Sequence, residues 1–300
     1  MQRDQWNEVA ALIHDSTNSW YQSNRSMDIF RSGPESTLLF CKVYEALDPD
    51  CCLIAKAKDS GQIVGSCFYH PRKTHFSLGI MNVHPAAFGK GIARHLLNQI
   101  IDLAMQRNLP VRLVSSAMNL DSYSLYTRAG FVPRQTYQDM LIEIPAAGIA
   151  DHSVDIDGIR DANYTDIHSM LNLEMKVAGI TREKDYRYFV KNESGDWHVS
   201  VLERDGEMLG WIVSIAHPAS NMIGPCIAVD QKAATALLFS EINYRAGQTM
   251  VFLSPVQADK LVKTAYRWGA KNCELHVAQV LGDFRPFNGI SMPTFMPETA

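Results

Sequence analysis

Residues 76–97 constrain the fold more than any other stretch, reading Phe-Ser-Leu-Gly-Ile-Met-Asn-Val-His-Pro-Ala-Ala-Phe-Gly-Lys-Gly-Ile-Ala-Arg-His-Leu-Leu. The apolar run with Ile80, Met81 and Val83 predicts a strand, and Pro85 stops it because proline cannot donate to a ladder. Gly89 and Gly91 then lead straight into Ile92–Leu97, whose apolar spacing is helical. A strand, a tight glycine turn and a helix start make an anion site together. The first N–H groups of a helix have no internal partner and carry the positive end of its dipole. Glycines remove the Cβ atoms that would hold a phosphate away. The stretch therefore predicts a grip on a pyrophosphate.

A dinucleotide fingerprint wants a third glycine where the chain has Arg94, and an acidic residue about twenty residues on. A nucleoside-triphosphate loop wants Gly-Lys-Ser/Thr, and here Gly91 follows Gly89-Lys90. A nucleotide-binding α/β protein is disfavoured on both counts. The stretch resembles instead the acyl-CoA-binding segment of the GNAT superfamily of N-acyltransferases, where a strand ending Val-x-Pro precedes Gln/Arg-x-x-Gly-x-Gly/Ala and a helix. Val83-His84-Pro85 and Gly89-Lys90-Gly91 match; Ala86 stands where Gln or Arg is usual. The resemblance implies that Met81, Val83, Phe88, Gly89, Lys90, Gly91, Ile92, Ala93 and Arg94 hold the cofactor, acetyl-CoA or another acyl-CoA.

A second segment carries the same resemblance. Residues 119–131 read Asn-Leu-Asp-Ser-Tyr-Ser-Leu-Tyr-Thr-Arg-Ala-Gly-Phe, against the family's Asn-x-x-Ala-x-x-Leu-Tyr-x-x-x-Gly-Phe, with Ser122 in place of Ala. Asn119 sits at a strand-to-helix passage, where its side chain can cap the helix or bond a ligand amide. Gly130 suits a left-handed helix stop before Phe131. By the resemblance, Asn119, Ser122 and Tyr126 border the cofactor, and Tyr126 is the general acid for the departing thiolate. A phenol with a pKa of about 10 is protonated at neutral pH and can donate. Many family members carry a glutamate base six residues ahead of the Val of Val-x-Pro, and here that position is Ser77. His70, His75 and His84 are the nearby imidazoles, which titrate near neutrality. His75, two residues before Ser77, is the candidate base among them; the default is a water-mediated base or an amine deprotonated in bulk.

Three hundred residues suit about two domains. The net charge of −4 and the absence of a Lys/Arg block leave no footprint for nucleic acid. No stretch approaches the roughly 20 apolar residues of a membrane span, and the polar start Met1-Gln2-Arg3-Asp4-Gln5 is no signal peptide. Six cysteines show neither paired metal spacing nor a disulfide-dense pattern, which suits a reducing cytoplasm. The ten histidines are scattered, none at ligand spacing with acids, so no metal site is expected.

In chain order the pattern predicts helices over 4–23 and 38–47, then a hairpin of residues 53–55 and 63–68. After the opening strand come a helix over 92–107, a strand over 111–114, a helix over 122–128, and two closing strands at 131–135 and 139–144. This is an α/β arrangement on a mixed sheet, α+β in character. It is also the GNAT order, lacking only the strand that normally precedes the first helix. Either that strand is absent or the natural start lies further upstream. Residues 145–157 show no helical period, dividing the chain into 1–147, a linker over 148–157, and 158–300.

The succession of elements recurs after the linker, which predicts two tandem GNAT-like domains. The second copy reads as degenerate. Its glycine turn is replaced by 224–234, with no Gly-x-Gly and with Asp230 where phosphate would sit. Its Tyr266 falls one residue late relative to Gly269. Trp197, Trp211, Tyr186, Tyr188 and Phe189 suit either an acceptor site or the core. The proline-bearing tail from Asp283 is expected to be extended and to wrap a neighbour, and a homodimer is possible. The resulting expectation is an acetyltransferase acting on an amine of a small molecule or peptide by direct attack. A non-catalytic acyl-CoA sensor or interaction module is the alternative.

Overall fold

The computed structural model describes residues 1–298. Two helices open the chain, α1 (Trp6–Arg25) and α2 (Leu38–Leu47), each entered through a 3-10 turn. They lead into β1 (Cys52–Lys56), β2 (Ile63–Pro71), β3 (Phe76–Val83), α3 (Ile92–Met105), β4 (Val111–Ser116), α4 (Leu120–Arg128) and β5 (Val132–Glu143). The second half begins with β6 (Ile159–Asp161), α5 (Ile167–Ala178), α6 (Glu183–Lys191), β7 (Trp197–Arg204), β8 (Glu207–His217) and β9 (Ser220–Ala228). It continues with α7 (Gln231–Tyr244), β10 (Thr249–Pro255), α8 (Asp259–Arg267), β11 (Lys271–Leu281) and β12 (Ile290–Met292). The order of the first half recurs in the second. The second half opens on β6, whereas no strand precedes α1 among the described residues.

Three elements differ from the sequence reading. The two closing strands expected at 131–135 and 139–144 are one strand, β5. The short helix α6 was not foreseen, because its nine residues carry few aliphatic side chains to set a period. The tail packs on its own chain: β12 pairs with β9.

Among the described residues all strands belong to one mixed sheet of twelve, in the order β1-β2-β3-β4-β11-β5-β10-β9-β8-β7-β6, with β12 beside β9. The halves exchange strands at its centre. β11, from the second half, lies antiparallel between β4 and β5 of the first, and β5 lies antiparallel to β10 of the second. Strand residues alternate between faces. On one face α1, α2, α5 and α6 cover a continuous apolar core that runs across both halves, from Ile13 and Tyr44 through Tyr137 to Tyr186 and Trp211. On the other, α3 and α4 cover one cluster and α7 and α8 another. The aromatic group Tyr186, Phe189, Trp197 and Trp211 is buried in the shared core, so packing accounts for it.

Each half contains a pair of parallel strands that part. β3 and β4 pair only at Phe76–Val111 and Ser77–Arg112, so the rest of β3 diverges. β9 and β10 pair only at Met222–Val251. There β12 lies along β9, opposite Cys226, Ile227 and Ala228, and fills the gap. Among the described residues no strand fills the gap between β3 and β4. No helix among the described residues is long and apolar enough to cross a membrane.

Candidate functional site

The gap beside β3 ends at the glycine turn. His84 closes β3 and accepts a hydrogen bond at Nδ1 from Ala86 N (3.2 Å). Phe88, Gly89, Lys90 and Arg94 are exposed, and Gly91, Ile92 and Ala93 half-buried. Gly89 (φ +74°) and Gly91 (φ +78°) adopt the left-handed conformation that glycine tolerates best. Gly91 caps α3 without a side chain, and no acidic residue lies in the first turn. The first intrahelical bond runs from His95 N to Gly91 O (3.0 Å), so the N–H groups of Ile92, Ala93 and Arg94 face out of the helix start. A Cβ at Gly89 would meet nothing within 4 Å. The turn is an open, positively polarised cradle of the size and chemistry of a phosphate group. Gly65 on β2 seats it: a Cβ there would stand 2.7 Å from Ile92 Cγ2.

The second segment forms α4. Asn119 caps it, accepting at Oδ1 from Ser122 N (3.1 Å), and Ser122 is half-buried in its first turn. Tyr126 is buried within the apolar cluster of Cys67, Leu96, Leu97 and Phe131, and Met81 and Ile92 pack against that cluster. The fold thus brings Tyr126 together with the end of β3 and the start of α3. Val83 lies two residues beyond Met81, at the end of β3. Burial, with the Cys67 thiol and the Glu298 carboxylate adding to it, pushes the Tyr126 phenol up. It stays protonated at neutral pH.

His75 stands apart, immediately before β3 begins and so at the closed end of the gap. It is fully buried, with Thr74 Oγ1 2.9 Å from Nδ1. Burial, then the cations of Arg72, Arg112, Arg182 and Lys184, depress its affinity for a proton well below the ordinary histidine range.

The helix α1–α2 side of the gap is polar. His70 pairs with Ser77 across β2 and β3. Its Nδ1 lies 2.7 Å from Asp48 Oδ2, and its Nε2 3.8 Å from Glu298 Oε2. Tyr44 donates its hydroxyl to Glu298 (2.6 Å), and Lys184 pairs with Asp48. The tail thus delivers a carboxylate into the first half. Ser66 Oγ, His70 Nε2, Ser77 Oγ and Asn82 Oδ1 are buried without a hydrogen-bond partner among the described residues. Buried polar atoms are rarely left so, and such a lining suits a polar ligand or ordered water.

A further cluster lies across the exchanged strands. Asp139 on β5 stands opposite Glu274 on β11. Between the carboxylates lies His276, with Nδ1 3.5 Å from Asp139 Oδ2 and Nε2 3.3 Å from Glu274 Oε1. The ligand atoms of all three lie within 4.8 Å of one another. One of the scattered histidines is therefore placed between two acids by the fold. The one signal in the sequence was Glu274-x-His276, which places both side chains on one face of a strand.

Two surface hollows lie elsewhere. One of about 270 Å³ is lined by residues such as Arg72, Lys73, Arg182 and Lys184. Another of about 340 Å³ shares Lys184 and Arg187 with it. Neither is lined by the glycine turn, and the cations of both are engaged with acidic partners such as Asp48, Glu174 and Glu183. In the second half, Asp230 occupies the start of α7 and accepts at Oδ1 from Ala233 N (2.8 Å). A carboxylate there meets the helix dipole that α3 leaves open.

Residues 13–131 match the acetyltransferase (GNAT) family. Among curated proteins, the UPF0157 protein YqkA of Bacillus subtilis (strain 168) is 32% identical over 79 residues, a match spanning 26% of this chain and 23% of that protein. Among solved structures, a candidate acetyltransferase from Pyrococcus horikoshii superposes with a TM-score of 0.74 at 16% identity, covering 96% of this chain and 89% of that one. A tandem GNAT protein from the clavulanic acid biosynthesis pathway superposes with a TM-score of 0.60 at 12% identity, covering 94% and 96% of the two chains. Identities this low carry the fold alone. The glycine turn and the Asn119 helix both fall inside the segment that matches the GNAT acetyltransferase family, and the chain as a whole has the fold of a tandem GNAT protein.

Proposed function

We propose that the first half binds acyl-CoA, acetyl-CoA in the simplest case, and transfers the acyl group to an amine of a small molecule or peptide. The observation that carries this reading is the unfilled gap beside β3, with bare helix N–H groups at its mouth and the buried Tyr126 phenol on its α4 side. Backbone N–H groups of Phe88–Arg94 would hold the pyrophosphate, and Met81 and Val83 would face the pantetheine arm through their backbone. The amine attacks the thioester carbonyl, whose developing oxyanion a β3 N–H near Met81 stabilises. The C–S bond then breaks, and Tyr126 protonates the leaving thiolate. Asn119 and Ser122 support the site by fixing the start of α4. His75 is poorly suited to accept the amine's proton, because burial and four cations hold it neutral.

The second half, with Asp230 over its helix start and β12 in its gap, supports a single cofactor site per chain. A non-catalytic acyl-CoA sensor is the second reading, favoured by the serine at position 77 where a glutamate base is usual in the family. One experiment separates them: a panel of primary amines incubated with acetyl-CoA, following free thiol release. Turnover above the uncatalysed rate with at least one amine supports the enzyme. Tight acetyl-CoA binding without turnover on any amine supports the sensor.

A further inference from the structure

We propose that Asp139 and Glu274, one carboxylate from each half of the chain, receive the ammonium group of the acceptor, and that Asp139 takes its proton. The proposal rests on the acyl-transfer reading above and supplies the base which that reading lacks.

The cluster is placed to act on the gap. Glu274 accepts at Oε2 from Ser116 Oγ (2.8 Å), and Ser116 is the last residue of β4. Met118 N bonds the same Ser116 oxygen (3.2 Å), and Asn119 follows directly as the cap of the helix that carries Tyr126. On the α1 side, Tyr21 donates to Glu274 Oε1 (2.9 Å). Arg25, a turn further on, reaches Met118 Sδ and the carbonyl of Cys273 rather than either carboxylate.

The charge in this place calls for a cation. Asp139 and Glu274 are both more than nine-tenths buried, and no Lys or Arg pairs with either among the described residues. Burial, then the Glu274 charge, raises Asp139 to about 7, while burial pulls His276 down to about 4. At neutral pH the imidazole is therefore neutral and supplies no counter-charge, and Asp139 stands near its own midpoint, able to take up a proton. Two such groups are costly to keep dry unless a cation joins them. His276, only 4% exposed, adds a second observation: its Nδ1 is turned toward Asp139 and has no hydrogen-bond partner among the described residues. Each ring nitrogen faces a different carboxylate, so the imidazole lies between them and holds the acceptors apart. An ammonium group, with three N–H donors on one atom, matches separated acceptors.

The step balances without a co-reactant. One ammonium proton passes to Asp139, and the freed lone pair forms the C–N bond as the C–S bond breaks. The sulfur electron pair takes a proton from Tyr126. The second proton that the nitrogen loses as the amide forms restores the phenol, and Asp139 returns its proton to solvent.

The test uses the full chain saturated with acetyl-CoA, wild type and the variants Asp139→Asn and Glu274→Gln. Melting temperature and thiol release are followed with 1,4-diaminobutane, ethanolamine and a Lys-containing dipeptide, and melting temperature with Mn²⁺ and Zn²⁺. Asp139→Asn removes a charge that burial disfavours, so the variant is expected to melt no lower than wild type, and lost binding is not lost folding. The expected result is a melting shift with at least one amine, absent in both variants. Where that amine is acetylated, kcat/KM falls on the order of 10²-fold in Asp139→Asn with acetyl-CoA affinity unchanged. No shift with any amine, a larger shift with either metal, or shifts retained in the variants overturns the proposal. Amine binding that needs both carboxylates but yields no thiol overturns the enzyme reading and the proton transfer, and leaves the ammonium site. Acetylation indifferent to both substitutions leaves the enzyme and removes this site.

Discussion

Asp230 and Ala233 are joined by a 2.8 Å hydrogen bond across the first turn of α7, at the position where α3 has only the bare backbone of Gly91. The two halves thus spend the same helix terminus differently. A side chain satisfies one, and the other is left open. Replacing Gly89 by Asp brings a carboxylate into the open cradle and is expected to abolish the heat shift that acetyl-CoA produces. Asp230→Ala is expected to cost about 1 kcal/mol as a lost cap. It should create no second site, because β12 still fills that gap, and calorimetric titration should keep one acetyl-CoA per chain.

Tyr126→Phe removes only a hydroxyl. Turnover is expected to fall by a factor on the order of 10² to 10⁴ in a thiol-release assay, while acetyl-CoA binding stays within a few-fold. Equal losses in both would point to a packing role for the ring instead.

Gly65 lies where Ile92 at the start of α3 comes closest to β2. Gly65→Val is expected to destabilise the fold by about 1–3 kcal/mol through overpacking. It should also weaken acetyl-CoA binding by displacing the helix start. Urea unfolding checks the first effect and cofactor titration the second.

His198 links stability to pH in the second half. Burial opposes its charge, but hydrogen bonds to Glu241 (2.9 Å) and to Asp161 (3.2 Å) outweigh burial and raise its pKa. The Tyr244 ring stacks on it, and Ser200, Ser214 and the neighbouring Arg245 complete the network around Glu241. A histidine whose folded pKa is raised stabilises fully below its unfolded value of about 6.5, and that stability is lost as pH rises through the folded value. His198→Gln is therefore expected to lower the urea midpoint more at about pH 5.5 than at about pH 8.5.

What the sequence disclosed was local. Val83, Pro85, Gly89 and Gly91 announce a strand end, a turn and a helix start within a dozen positions, and Asn119 and Gly130 punctuate α4 in the same way. The proximity of Asp139 to Glu274 was not legible, since it depends on which strands pair across the sheet, and alternation along one strand does not name its partner. The two short closing strands were expected to pair with each other because the chain turns back that way in a single domain. In the fold, β11 supplies the neighbour from the other half, and β5 runs on unbroken. Tail residues such as Glu298 gave no period at all, and their place beside Tyr44 and His70 follows from tertiary contacts alone.

The exchanged strands bear on how the chain is made. During synthesis the first half emerges complete to β5, yet one edge of β4 waits for β11, near the end of the chain. An unpaired edge is a template for another chain, so this interval is when aggregation threatens. Neither half can be transplanted as a module: a fragment ending after β5 keeps the glycine turn but loses the strand that completes its sheet.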